Sequence, residues 1–288
     1  MRAVRLTRSG LNLEEIDTPK PSAGDALVRV HAAAITKDEL EWPVDRLPAI
    51  PSYELSGEIA ALGANANGVA VGDEGYALAD FGRDGAAADF AVVSVALLAP
   101  KPRSIDHVAS AAIPLAALSA WQALFEHGRL EAGQRVLILG ATGGVGHFAT
   151  QLARQRGAHV IATASDSEAA RSLGAHEVVD YRRERFEDVV EPVDLVFDTV
   201  GGELLARAPA AVRAGGRLVS VAAEPAPPGI YFVVEPNREQ LAEITRLVDE
   251  GVLRPEIDSV YPLEEARAAF ERSLASGKRG KVVLRVAE

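Results

Sequence analysis

Four glycines fall within seven residues, Gly140-Ala-Thr-Gly-Gly-Val-Gly146, directly after the apolar run Arg135-Val-Leu-Ile-Leu139. A short apolar run of this kind reads as a strand buried on both faces of a parallel sheet. Residues 148–156, behind the glycines, carry apolar side chains at helical spacing. Glycines between a strand and a helix let the backbone turn tightly and approach a pyrophosphate with no Cβ in the way. The helix start then offers free N–H groups and the positive end of its dipole to the phosphates. A tight turn that binds nothing uses glycine as well, so the surrounding pattern has to decide. Strand candidates at 159–164, 177–181, 195–200, 217–222 and 230–234 follow, with helical segments between several of them. Alternating strands and helices predict an α/β fold, a doubly wound parallel sheet of Rossmann type. Residues 224–229, rich in proline, read as a loop between the last two strands.

The glycine segment starts only at residue 140, and what precedes it has a different character. Residues 26–34 alternate apolar with polar side chains. Residues 55–62 and 89–95 are further strand candidates, Gly57 suggests a bend, and 71–75 reads as a tight turn. Short strands punctuated by glycine predict a compact barrel or sandwich. Pro100 and Pro102 interrupt the chain, and from Asp106 the pattern turns helical, at 106–112 and 118–127. Near the end, residues 264–276 are helix-like and 281–286 form an apolar strand with no place in the parallel sheet. That strand is expected to complete the first domain. The predicted division is a β-rich substrate domain at 1–105 and 255–288, and a dinucleotide-binding domain at 106–254.

Composition removes several functions. Lys and Arg number 30 against 41 Asp and Glu, a net charge of −11, which disfavours nucleic acid. No apolar run approaches the length of a membrane span, and the first residues lack the features of a secretory signal, so a cytoplasmic protein is expected. The chain has no cysteine, which excludes disulfides, thiolate zinc sites and a cysteine nucleophile. Its six histidines, at 31, 107, 127, 147, 159 and 176, show no ligand-like pairing in the sequence.

At this point the chain resembles a family. The residues that carry the resemblance are Ile50-Pro-Ser-Tyr-Glu-Leu-Ser-Gly57, Val71-Gly-Asp73, Ala111-Ala-Ile-Pro114 with Ser119-Ala-Trp121, the 140–146 glycine segment, Leu173-Gly-Ala-His-Glu-Val-Val-Asp-Tyr181, Asp198-Thr-Val-Gly-Gly202, Gly215-Gly-Arg-Leu-Val219 and Gly280-Lys-Val-Val-Leu284. In this order they resemble the medium-chain dehydrogenase/reductases, in particular the zinc-free quinone oxidoreductase branch. The resemblance implies a GroES-like substrate domain assembled from both chain ends, with an inserted Rossmann domain. It sets Thr36, Tyr53 and about Leu115 where zinc-dependent relatives hold their catalytic metal, so no zinc is expected.

The resemblance also implies a set of cofactor contacts: Gly140, Thr142, Gly143, Gly144, Val145, Gly146, Ser165, Tyr181, Arg182, Val200, Gly201, Val221 and Phe232. NAD-selective Rossmann folds usually end the second strand on a carboxylate. Ala164 supplies none, although Asp166 lies close, and Ser165-x-x-Glu168 has the pattern of a capping box. Arg182, Arg183 and Arg185 follow the third strand, where a guanidinium fork suits a 2′-phosphate; a solvated loop face is the competing reading. NADP(H) is favoured. Without a Lewis acid, the accessible chemistry is hydride transfer to a substrate that is already activated, a quinone or α,β-unsaturated carbonyl. Tyr53 is the leading hydrogen-bond donor, though a tyrosine filling the space left by zinc reads equally well. Thr36 comes next, with Asp38 and Glu54 weaker, and Trp42 and Phe232 are candidates for an apolar wall, with core packing an equal reading of either. Enoyl-thioester reduction and non-catalytic dinucleotide binding are the alternatives. Residues 230–234, apolar and at the expected sheet edge, predict a homodimer paired through that edge.

Overall fold

The computed structural model describes residues 1–42 and 47–287. In chain order the strands are β1 (Arg2–Thr7), β2 (Gly10–Glu15), β3 (Asp25–Ile35), β4 (Glu54–Leu62), β5 (Glu74–Leu78), β6 (Phe90–Ser94), β7 (Ala99–Pro100), β8 (Arg135–Leu139), β9 (His159–Thr163), β10 (Glu177–Val179), β11 (Val193–Asp198), β12 (Val212–Ser220), β13 (Ile230–Tyr231), β14 (Ile257–Pro262) and β15 (Lys281–Arg285). The helices are α1 (His107–Ala111), α2 (Pro114–Trp121), α3 (Gly146–Gln155), α4 (Ser167–Ser172), α5 (Phe186–Val189), α6 (Gly202–Arg207), α7 (Arg238–Asp249) and α8 (Ala266–Leu274). The chain forms two compact units. One gathers Met1–Leu115, Pro236–Gly251 and Pro255–Glu288, and the other Ala116–Glu235 with Val252–Arg254.

In the first unit a mostly antiparallel sheet runs β14-β15-β3-β4-β5-β7, with β6 also on β3. The alternation at 26–34 sorts β3 onto two apolar surfaces. Ala33 and Ile35 join the main core with Leu55 and Leu284. Ala32 and Ala34 face Ala111 of α1 and Ala112 at its C-cap. Alanine suits this strand because packing on both faces leaves little volume. The C-terminal strand does return here: β15 pairs antiparallel with β3, Val282 opposite Ile35 and Leu284 opposite Ala33. Two elements depart from the sequence reading. Residues 71–75 predict a turn, and a turn forms at Val71-Gly72, but Glu74 already opens β5, whose Tyr76 is fully buried. The Tyr76 hydroxyl donates to the Leu241 carbonyl at 2.8 Å. That bond ties α7 to this unit, whereas the predicted division places it in the dinucleotide half. The hairpin β1-β2 is also absent from the sequence reading, since its alternation is weak and its Leu13 is exposed.

The second unit holds a six-stranded sheet in the order β10-β9-β8-β11-β12-β13, and every pairing in it is parallel. This is the doubly wound sheet the sequence predicts. The central strand ends in register with its neighbours, Leu139 opposite both Thr163 and Asp198. Chain order reverses between β9 and β11 around β8, so these three ends mark the topological switch point where such sheets bind ligands. Two expectations are corrected. The helix predicted at 118–127 changes at Gln122 into a π-helical turn through His127. The last strand spans only Ile230–Tyr231, because its pairing with β12 stops after Val219↔Ile230 and Ser220↔Tyr231. Among the described residues no helix is long and apolar enough to cross a membrane.

One glycine fixes the approach to β15. Gly280 has φ +72°, and a Cβ there would sit 2.0 Å from the Glu256 carbonyl oxygen. Gly280→Ala is therefore expected to lose stability by about 1–3 kcal/mol or more, read as a lower urea midpoint with unchanged slope.

Candidate functional site

In the second unit, the glycine turn is built so that the backbone alone forms its surface. A Cβ at Gly146 would lie 2.1 Å from the Gly140 carbonyl oxygen, and one at Gly140, where φ is +80°, would meet Val200 Cγ2 at 2.6 Å. Glycine is required at both positions. The turn is pinned from behind. Gly140 N–H donates to Thr163 Oγ1 at 3.0 Å, Thr199 Oγ1 donates to the Leu139 carbonyl at 2.8 Å, and Thr150 Oγ1 donates to the Gly146 carbonyl at 2.9 Å. At the start of α3, Val145 gives no side-chain cap. Among the described residues no acceptor takes the N–H groups of Thr142, Gly144 or Val145. A half-buried run of backbone donors at a helix N-terminus, with no side chain in the way, fits a dinucleotide pyrophosphate.

The neighbouring strand ends complete this surface. Asp198 is fully buried at the end of β11, and its carboxylate accepts N–H bonds from Val200 and Gly201, each at 3.1 Å. It also accepts from the Ser220 hydroxyl at 2.7 Å. Asp198 thus shapes the 199–201 turn and leaves Val200 45% exposed beside Gly140. The Val221 N–H donates to the Asp198 carbonyl at 3.2 Å, and the Phe232 ring lies 4.3 Å from that of His127. The sequence reading missed Asp198 and Ser220 as organisers of this turn. Their signal was present, an acidic residue closing an apolar strand just before a Gly-Gly pair.

After β9 the sequence offered two uses for Ser165 and Asp166. The cap of α4 is Asp166, whose Oδ1 accepts from Ala169 N–H at 2.9 Å, so the predicted capping box on Ser165 is off by one residue. One oxygen of the Asp166 carboxylate is thus taken by the helix cap. Arg182 crosses from the end of β10: its guanidinium donates to the Ser165 carbonyl and, at 3.1 Å, to Asp180 Oδ1. That bond holds the Asp180 carboxyl below its usual range. Arg183 shares Asp180 at 3.5 Å, while Arg185 turns away to Glu187. Tyr181, between them, is 48% exposed. A cationic fork therefore stands at the end of the second strand of the nucleotide fold, beside Ser165.

In the first unit the candidate donors converge on a buried charge cluster. Thr36 follows β3, and Tyr53 directly precedes β4. Glu39 lies in a short 3₁₀ turn; its two carboxylate oxygens accept from Thr36 N–H at 3.1 Å and Ser52 N–H at 3.0 Å. Lys281, from β15, donates to Glu54 Oε1 at 2.6 Å and to Thr36 Oγ1 at 3.2 Å. The Lys281 and Glu54 side chains are only 5% and 1% exposed. Burial pushes the Glu39 carboxyl up to about 8, and raises that of Glu54 against the pull of Lys281. Tyr53 is buried, its ring stacked on Trp42 with centroids 6.1 Å apart and edge-on to Phe81 at 5.2 Å. Trp42, expected as a wall, is thus part of an aromatic trio that includes Tyr53. Asp38, with φ 62°, pairs with Lys37 at 3.8 Å. The sequence reading missed Lys281 and Glu39, because no local pattern tells a buried lysine at a strand start from an exposed one.

The histidines are less isolated than the sequence suggested. His31 stacks on His107 and His159 on His176, with ring centroids 4.3 and 4.5 Å apart. Glu74 bonds His107 and Glu177 bonds His159, yet among the described residues no group of three or more His, Cys, Asp or Glu is placed to hold a metal.

Comparison with known proteins agrees with this architecture. Residues 22–103 match the alcohol dehydrogenase GroES-like domain, and residues 173–284 match the zinc-binding dehydrogenase family. The chain is 33% identical to a probable zinc-binding mitochondrial oxidoreductase of Arthroderma benhamiae, covering 96% of this chain and 93% of that one. It is 32% identical to a chloroplastic NADPH-dependent alkenal/one oxidoreductase of Arabidopsis thaliana, over 95% of this chain and 75% of the relative. The solved quinone oxidoreductase from Coxiella burnetii superposes with a TM-score of 0.93 at 30% identity, covering 99% of both chains. A doubly wound nucleotide fold and a GroES-like unit in one chain define the class of two-domain dehydrogenases and reductases. Within that class the chain belongs to the medium-chain dehydrogenase/reductases, of the quinone oxidoreductase type.

The Glu39 carboxyl predicts a pH dependence of stability. Its folded pKa, about 8, lies above the ordinary value of 4.5, so the folded state binds the extra proton between those limits. Its contribution to stability is complete below pH 4.5 and is lost as pH rises toward 8, with a slope of at most about 1.4 kcal/mol per pH unit. Glu39→Gln lowers absolute stability, because its amide nitrogen faces a backbone N–H, but flattens the profile across this window. Chemical denaturation from pH 5 to 8 makes the comparison, and a variant as steep as the wild type would assign the slope to other groups.

Proposed function

We propose that the protein is a cytoplasmic, NADP(H)-dependent oxidoreductase that transfers hydride to quinones or α,β-unsaturated carbonyls without a metal ion. The observation that carries this reading is chemical. Where the resemblance sets zinc ligands, the chain has two hydroxyl side chains, Thr36 and Tyr53, beside a fully buried carboxyl at Glu54. Hydroxyls donate hydrogen bonds to a developing oxyanion but make a poor zinc set. The relatives support it by their names, one an NADPH-dependent alkenal/one oxidoreductase and another a quinone oxidoreductase.

The glycine turn with Thr142 and Val145 would hold the pyrophosphate, Val200, Gly201, Val221 and Phe232 would continue the cofactor surface, and Ser165, Tyr181 and Arg182 would take the adenosine end. Arg182 would pair its fork with a 2′-phosphate. NADPH, when bound, supplies a hydride. In an enone that hydride forms a C–H bond at the β-carbon, and the π electrons move onto oxygen as an enolate. A proton from solvent then adds at the α-carbon. Thr36 and Tyr53 act on the oxygen: they orient it and donate hydrogen bonds that strengthen as its charge grows. An isolated ketone has no such delocalisation and would depend on a Lewis acid.

Mixing the purified chain with NADPH and 2-cyclohexen-1-one or 1,4-naphthoquinone, before and after exhaustive chelation, tests this reading. Turnover that survives chelation is expected, with NADPH bound more tightly than NADH. Arg182→Ala should weaken NADPH by about 1–2 kcal/mol and leave NADH unchanged. Zinc-restored activity would overturn the metal-free chemistry. Turnover of enoyl-thioesters alone would move the substrate class, and no turnover on any of these would leave dinucleotide binding as the function.

The reading includes a homodimer joined at the edge of the parallel sheet. β13 is the terminal strand there, with Tyr231 46% exposed and Val233, two residues past its end, 62% exposed. An open edge carrying apolar side chains calls for a cover, and a two-fold copy of itself provides one. Sedimentation at micromolar concentration should give a dimer mass, and Val233→Pro should shift it to monomer with the fold intact. A monomeric wild type would rule the pairing out.

A further inference from the structure

Lys281 is buried, and keeping its charge and those around it out of water is costly. An ion pair taken out of water is often no more stabilising than apolar side chains of the same volume. Here the remaining oxygen of Glu54, Oε2, is buried with no hydrogen-bond partner among the described residues, and a second carboxyl, Glu39, lies in the same buried region. What the arrangement does control is the orientation of Thr36.

Three adjacent strands create it. Glu54 on β4 stands opposite Ala34 of β3. On the other side of β3, Val282 of β15 stands opposite Ile35, so Lys281 arrives beside Thr36. Thr36 is then gripped twice: its N–H by Glu39 Oε2 at 3.1 Å, and its hydroxyl by Lys281 Nζ at 3.2 Å. A lysine ammonium has three N–H donors and no lone pair to offer. Thr36 Oγ1 must therefore be the acceptor in that contact, and its single hydrogen has to point elsewhere. Among the described residues no acceptor takes that hydrogen, and the side chain is half-buried rather than enclosed. Water would let such a hydroxyl rotate between donor and acceptor roles. A neighbouring cation occupies one lone pair, turns the hydroxyl hydrogen away from itself and polarises the O–H bond.

We infer that Lys281, held by Glu54, is a positioning residue that commits the Thr36 hydroxyl to donate its hydrogen bond to the substrate oxygen. The inference rests on the reduction proposed above and adds a residue 245 positions from Thr36 to its machinery. It separates the two hydroxyls as well: Thr36 is set by a cation, while Tyr53 is set by the stack of Trp42 and Phe81.

A double-mutant cycle on the full chain tests it, with NADPH and 2-cyclohexen-1-one. Lys281→Met leaves Glu54 buried and uncompensated, so the pair is replaced together, as Glu54→Leu with Lys281→Met. If that variant does not fold, Glu54→Gln with Lys281→Met takes its place. In the wild type, Thr36→Val should lower kcat about tenfold or more, with NADPH affinity and KM changed less than about threefold, and Thr36→Ser should keep most of the rate. In the pair-replaced background kcat should fall by a similar factor, and adding Thr36→Val should then cost less than about twofold. Costs that multiply across the two backgrounds would overturn the inference while leaving the proposed reaction in place. So would a loss of NADPH affinity in step with kcat, which is the mark of a merely structural role. A wild type that reduces neither enones nor quinones would overturn the proposed reaction and this role with it.

Discussion

Lys281 Nζ meets Glu54 Oε1 at 2.6 Å with both side chains almost entirely out of water, and the first unit is organised around that contact. For the two to meet, the C-terminal strand β15 must lie beside β3 and β4 must lie on its other side. Gly280 admits the chain to that position past the Glu256 carbonyl, where any side chain would collide. Once formed, the pair penalises every arrangement that separates it, because either partner left alone would be a buried unpaired charge. The contact thus fixes register across three strands, and with it where Thr36 and Tyr53 stand.

The second unit depends on a steric constraint instead. Between Leu139 and α3 the backbone folds so tightly that a Cβ on Gly146 would overlap the Gly140 carbonyl. Side-chain hydroxyls of Thr163, Thr199 and Thr150 hold the turn from the protein side, which leaves its outer N–H groups for a ligand. Asp198 does the same for the neighbouring turn with one buried carboxylate. The two units therefore prepare their chemistry differently, one by removing side chains and the other by burying charged ones.

Much of this was legible in the residues. The run Arg135–Leu139 followed by its glycines specified strand, turn and helix locally, because short-range sterics and one apolar period suffice there. The return of the last strand was readable by elimination. Less was readable where a residue's role depends on a distant neighbour. The cap of α4 fell on Asp166 rather than Ser165, a one-residue difference that only the exit geometry of β9 resolves. Strand β13 stopped after two residues because its partner strand ends, not because its own pattern changes. The strand Glu74–Leu78 went unread, since the buried acceptor that holds the Tyr76 hydroxyl lies on α7.

The sequence by itself determined the two kinds of architecture, the site of the nucleotide turn, the want of cysteine ligands and the pair of hydroxyl residues set where relatives hold metal. The first three follow from glycine sterics, apolar periodicity and side-chain chemistry, all of them local, and the placing of the hydroxyl pair is what the family resemblance implies. Tertiary structure alone decided which charges share a buried space. Glu39, Glu54 and Lys281 are three unremarkable ionisable residues until β3, β4 and β15 are laid side by side. Only then does burial push the Glu39 carboxyl up, and only then does a cation reach the Thr36 hydroxyl. Interactions of this kind depend on distance and on the exclusion of water, and a linear chain encodes neither until it has folded.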